Sequence, residues 1–204
     1  MNSYVNSKIF SIFKYCLGIF FSVNIYAQSG PAGVGTSSNN KVWLDAKAMN
    51  LAEGIFVDQW IDISGNNNHF EQPTATKLPI YRESSGISGI PSLQFDGVND
   101  VLYRNSMTTL DNDSLTYFIV FDRLDLTDAI LINSEQSGLT TKWGSYFNNS
   151  QTLLYNAHFS PGAKHARYDH FGGPTFISNH FSASRLNAYR EGVLENFRNG
   201  TFTS

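Results

Sequence analysis

The chain has 204 residues, 41% of them hydrophobic, with 14 basic against 17 acidic side chains and a formal net charge of −3. That length suits one domain preceded by a processing segment and leaves little room for two. Mild acidity without a basic cluster argues against nucleic acid as the partner and disfavours an anionic membrane surface, and a lone cysteine, Cys16, excludes a disulfide framework.

Residues 1–27 read as a signal peptide. Lys8 and Lys14 lie toward its start, an apolar stretch runs from Tyr15 to Tyr26, and Ile25-Tyr26-Ala27 ends on a small residue before Gln28. Lys14 and Asn24 limit the uninterrupted apolar run to well under the roughly twenty residues that span a bilayer, so stable membrane insertion is not expected. Cys16 follows Phe13-Lys14-Tyr15 rather than a lipoprotein-type cleavage site. Export predicts a secreted or cell-surface protein, and removal of Lys8 and Lys14 leaves it more acidic. Residues 28–40, rich in Gly, Ser and Asn, form a flexible linker with little to bury.

From residue 41 to 204 the chain predicts strands. Short runs of β-branched and aromatic residues are broken every eight to twelve residues by Gly, Asn, Pro or Ser, and no long window keeps a helical apolar period. The expected strands are Val42–Ala46, Ser92–Asp96, Val101–Arg104, Leu115–Phe121, Ala129–Asn133, Gly144–Phe147, Thr152–Ala157, Thr175–Phe181 and Arg185–Arg190. Leu115 to Phe121, LTYFIVF, is apolar on both faces and predicts a central strand. Ser92 to Asp96 alternates, as a half-exposed strand does.

Three motifs in one order carry a resemblance: Val42-Trp43-Leu44-Asp45-Ala46, then Asp62-Ile63-Ser64-Gly65-Asn66-Asn67-Asn68-His69, then Phe95-Asp96-Gly97-Val98-Asn99-Asp100. Together they resemble the laminin-G-like, concanavalin A-like jelly-roll domain of bacterial secreted surface proteins. The resemblance implies an all-β fold, a two-sheet antiparallel β-sandwich, whose members mostly bind or adhere. It implies as partner a glycan or another surface protein. Leu186 to Leu194, with its Tyr189 and Gly192, resembles the family's late hairpin. The strands that follow this hairpin in relatives are not found before Ser204, so the expectation is a domain incomplete at its C-terminus, whose independent folding the sequence leaves open.

The chemistry-bearing residues are sparse. The acids are dispersed: no Glu-x-Asp-x-x-Glu pattern occurs, Asp122-Arg123-Leu124-Asp125 and Glu191 to Glu195 have neither that spacing nor a strand-like setting, and there is no Gly-x-Ser-x-Gly elbow, so the chain is expected to be non-catalytic. A glycoside hydrolase-like enzyme and a purely structural spacer are the alternatives. Asp96, Asn99 and Asp100 offer calcium the hard oxygen ligands it prefers, joined by Asp62, Asn66 and Asn68. The same residues are what tight turns require of the backbone, and that reading is favoured. His165, Asp169 and His170 read as a polar loop rather than a metal site. Among Trp43, Trp60 and Trp143, the core is the favoured place for all three, with Trp143 the one candidate for ligand stacking. Oligomeric state is not legible.

Overall fold

The computed structural model describes residues 38–105, 107, 114–124, 129–134, 143–147, 153–158, 164–170, 172–182 and 184–200. The expected signal peptide and most of the linker lie outside them. The described residues form an all-β, antiparallel architecture, and none of their helices is long and apolar enough to cross a membrane.

The N-terminal part is built from turns that hold very short strands. β1 (Gln59–Trp60) pairs with β2 (Phe70–Glu71), and β3 (Ile80–Arg82) pairs with β4 (Ser92–Gln94). Val42–Ala46 is not a strand: Leu44 makes a single bridge to Asp62, and Ala46–Met49 turns into a 3₁₀ helix. The Asp45 carboxylate accepts from the Lys47 amide at 2.9 Å, capping that turn and ending extended structure. Ala46, Val57 and Tyr81 are buried together, with Met49, Leu51, Trp60 and Leu93 packed on them.

The rest of the chain makes two four-stranded sheets. Their strands are β5 (Leu115–Arg123), β6 (Ala129–Asn133), β7 (Trp143–Phe147), β8 (Leu153–His158), β9 (Lys164–Asp169), β10 (Gly173–Ser182), β11 (Arg185–Arg190) and β12 (Val193–Asn199). One sheet runs β12-β11-β10-β5 and the other β6-β7-β8-β9, all neighbours antiparallel. The β11–β12 hairpin turns through Glu191 and Gly192, both at positive φ (49° and 79°), the geometry of the two-residue turns that match strand twist.

Alternation places one face of each sheet in a shared core. Tyr117, Phe121, Ile177, Phe181, Leu186 and Ala188 come from one sheet, and Trp143, Phe147, Leu154, Ala166 and Tyr168 from the other. Within it lies a polar knot: Tyr117, Ser145, Asn156 and Asn179 are all buried. The Tyr117 hydroxyl and the Ser145 hydroxyl share a hydrogen bond, Ser145 Oγ donates to Asn156 Oδ1, and Asn179 Nδ2 reaches both Ser145 Oγ (3.2 Å) and Asn156 Oδ1 (2.7 Å). Burial drives the Tyr117 hydroxyl well above the usual phenol range, against the bonds from Ser145 and Asn179, so it stays neutral.

LTYFIVF is not central among the described strands: β5 stands at the end of its sheet, with Phe118 66% and Val120 54% exposed on the face away from the core. The stretch from Lys164 to Asp169 is not a loop but β9, with Ala166 and Tyr168 turned inward and Arg167 and Asp169 outward.

Candidate functional site

The Asp62 turn is a hydrogen-bond hub. Its carboxylate accepts from the backbone amides of Trp43, Ser64 and Asn68, each at 2.9 Å, and from Ser64 Oγ at 2.8 Å. Burial raises the Asp62 pKa, but those bonds outweigh it and the net shift is downward. The turn passes through Gly65 and Asn67 at positive φ, where Gly and Asn are the tolerated residues. Asn66 and Asn68 turn their side-chain amides back onto the carbonyls of Asn40 (2.8 Å) and Lys41 (2.9 Å). These residues tie residues 40–43 to β1 and β2.

The Asp96 loop uses its acids in a similar way. Asp96 Oδ1 accepts from the amides of Val98, Asn99 and Asp100 at 2.8, 3.0 and 3.1 Å, and Asp100 Oδ2 accepts from the Asp96 amide at 2.9 Å. Those bonds, that of Val98 first, hold Asp96 below the usual carboxylate range, while partial burial and the neighbouring Asp96 charge raise Asp100. Among the described residues no three His, Cys, Asp or Glu side chains are grouped to hold a metal.

The other sequence candidates separate. Trp143 is 6% exposed and stacks on Tyr117 with ring centroids 5.4 Å apart, so its ring faces are spent in the core rather than offered to a ligand. His165 and His170 lie on opposite faces of the sheet. His165 packs edge-on against Tyr155 and shares a hydrogen bond with the Tyr146 hydroxyl (3.3 Å); burial first, then Arg167 and Arg198, lowers its pKa. His170 is buried between the Phe121 and Phe147 rings, its Nδ1 accepting from the Gly172 amide and its Nε2 facing Thr175 Oγ1 at 2.8 Å.

What the fold does assemble is a row that sequence motifs did not mark. Gln59 pairs with Glu71 across β1 and β2, and Glu71 pairs in turn with Tyr103 through two backbone hydrogen bonds of 2.8 and 3.1 Å. Directly paired residues share a face, so an amide, a carboxylate and a phenol stand side by side. Gln59 Nε2 donates to Glu71 Oε1 at 2.8 Å, fixing the carboxylate. Beneath them Gln72, 4% exposed, gives its Nε2 to the Val101 carbonyl (3.0 Å) and accepts from the Thr74 amide (2.9 Å), locking the floor. The row lines an open cleft of about 590 Å³, bordered also by Asp58, Pro73, Arg104 and Asn105. An exposed ring beside hydrogen-bonding groups of both senses is suited to a ligand with an apolar face and many hydroxyls. Comparison with protein-family models, curated proteins and solved structures finds no match.

Proposed function

We propose that the chain is an exported, non-catalytic recognition module that binds a glycan in the Gln59–Glu71–Tyr103 cleft. The motif order from Val42 to Asp100 and two antiparallel four-stranded sheets on one core support a laminin-G-like, concanavalin A-like jelly-roll sandwich as its finer fold. Fold alone does not give function, and the observation that carries the reading is the row itself. Its carboxylate is oriented by the Gln59 amide, its Tyr103 ring is partly exposed, and a cleft opens above it. Pre-fixed groups lose little freedom when a ligand arrives, which favours binding by a shallow surface. Residues 1–27 support export to the cell surface or beyond, where glycans are abundant.

The reading is tested by a glycan-array screen of the full chain, followed by calorimetry on any hit with Tyr103→Ala and Glu71→Gln. Binding weakened about tenfold or more by either change, with melting temperature preserved, supports the site. Absence of any glycan hit, or a hit that ignores both changes, overturns it.

A further inference from the structure

An unbroken row crosses the outer face of the β6-β7-β8-β9 sheet. Ile130 pairs with Tyr146, Tyr146 with Tyr155, and Tyr155 with Arg167. Directly paired residues share a face, so four adjacent strands set an aliphatic chain, two phenols and a guanidinium side by side along about 14 Å. Ile130 is 68% exposed at one end, and Arg167 is exposed at the other. The two tyrosine rings stack nearly parallel, 5.3 Å apart and inclined by 14°. His165 stands edge-on to both rings, and Arg167 Nη1 reaches the Tyr155 hydroxyl at 3.5 Å.

A second guanidinium joins from the facing sheet. Asn196 Nδ2 donates to the Arg167 carbonyl at 2.7 Å and Arg190 Nη1 to the Asp169 carbonyl at 3.0 Å, which lays β12 antiparallel alongside β9. Asn196 is level with Arg167, so Arg198, two residues on, is level with His165. Burial first, then Arg167 and Arg198, holds His165 below its ordinary range, so both positive charges reach the ring. Neither arginine takes part in an ion pair among the described residues. Of the carboxylates on β9 and β12, Glu195 is bound to Arg190, and Asp169 lies beyond Arg167 on the side away from His165. Cations dispersed in the sequence are thus gathered by the fold without a counter-charge.

We propose that this face is a second binding site, separate from the Gln59–Glu71–Tyr103 cleft, and that it takes a carboxylate-bearing saccharide, a uronate or a sialate. The carboxylate is received between Arg167 and Arg198 beside His165, where a guanidinium fork matches its two oxygens. The sugar ring lies over Tyr146 toward Ile130, where an apolar sugar face meets an aromatic ring and an aliphatic chain. The order of the row selects this ligand. A bare anion would use only the Arg167 end, and a neutral sugar would gain nothing from the two guanidinium groups. The backbone ladder and the tyrosine stack fix the row in advance, so little freedom is lost on binding.

The test is calorimetry on the full chain with tri-galacturonate and sialyllactose, each beside its neutral counterpart, galactotriose and lactose. At least one acidic probe is expected to bind about tenfold or more tightly than its neutral counterpart, and to weaken with added salt. Arg167→Ala, Arg198→Ala and Tyr146→Ala are each expected to weaken that binding about tenfold, while Tyr146→Phe, which keeps the ring, is expected to retain it. Both arginines are exposed, and Arg167 holds β12 through its carbonyl, which substitution leaves in place; melting temperature checks that each variant stays folded. Tyr103→Ala is expected to leave acidic binding unchanged, so loss at this face is told apart from loss at the cleft. The proposal is overturned if neither acidic probe binds, if acidic and neutral probes bind equally, or if binding ignores both arginine changes. Binding that ignores Tyr146→Ala assigns a bare anion site and overturns the saccharide.

Discussion

Asn179 on β10 and Asn156 on β8 meet in the core between the two four-stranded sheets, Nδ2 to Oδ1 at 2.7 Å, with neither residue exposed to solvent. The two are not equivalent. Asn156 Oδ1 also accepts from Ser145 Oγ, whereas Asn179 Oδ1 has no hydrogen-bond partner among the described residues. Asn156→Leu strands two buried donors and is expected to cost about 2–4 kcal/mol. Asn179→Leu discards an unpartnered acceptor with its amide and is expected to cost about 1 kcal/mol or less. Urea unfolding of the two variants side by side checks the order, and equal costs contradict it.

The Asp62 hub predicts an acid-sensitive turn. A carboxylate held below its ordinary range contributes stability above the unfolded pKa, and that contribution is lost as pH falls through the folded value. Asp62→Ala removes one acceptor group from four bonds and is expected to destabilise by about 2–4 kcal/mol at neutral pH. It is also expected to reduce the loss of stability on acidification below about pH 4. Chemical denaturation at pH 7 and pH 3 measures both effects.

His170 works at a higher pH with the same sign. Its Nδ1 accepts from the Gly172 amide, and Thr175 Oγ1 donates to the Gly173 carbonyl, so the Nε2 proton is the one given to Thr175. A second proton on Nδ1 would face an N–H. Burial first, then Arg123 on β5 and Arg190 on β11, lowers the pKa, with Asp122 opposing. A depressed histidine pKa means stability present above about pH 6.5 and lost as pH falls below it. Melting temperature is expected to drop between pH 7.5 and pH 5.5, by about 2–4 °C for each kcal/mol lost. His170→Gln is expected to show a shallower drop, His165 keeping its own share; an unchanged slope sinks this account.

The cleft row separates binding from folding. Glu71 and Tyr103 are exposed, whereas Gln72 beneath them is buried and bonded. Gln72→Leu leaves the Val101 carbonyl and the Thr74 amide without their partner and is expected to lower stability by about 1–3 kcal/mol. Tyr103→Ala is expected to leave stability within about 1 kcal/mol. Differential scanning calorimetry of the two variants distinguishes the floor from the rim.

How much of this was legible in the chain depends on residue spacing. Ala129–Asn133 and Arg185–Arg190 were readable to the residue because each has β-forming composition between turn signals. β1 to β3 were missed, since two or three residues are too few to display an alternation. β9 was missed for another reason: its inward positions, Ala166 and Tyr168, include no β-branched residue, and its outward ones, His165, Arg167 and Asp169, are polar. Asn179 did carry a signal, a polar residue in phase with Ile177 and Phe181. Gln59, Glu71 and Tyr103 carried none, because separate bridges bring them together from distant parts of the chain.

The bonds from Asn196 and Arg190 to β9 stitch two sheets that, among the described residues, no backbone ladder weaves together. A ladder opens only by unzipping a strand, but a stitch slips when one side chain changes rotamer, a motion of nanoseconds rather than milliseconds. That margin is therefore expected to breathe while every strand keeps its neighbours. Hydrogen exchange in β9 is expected to outpace that in β10, which is laced on both sides.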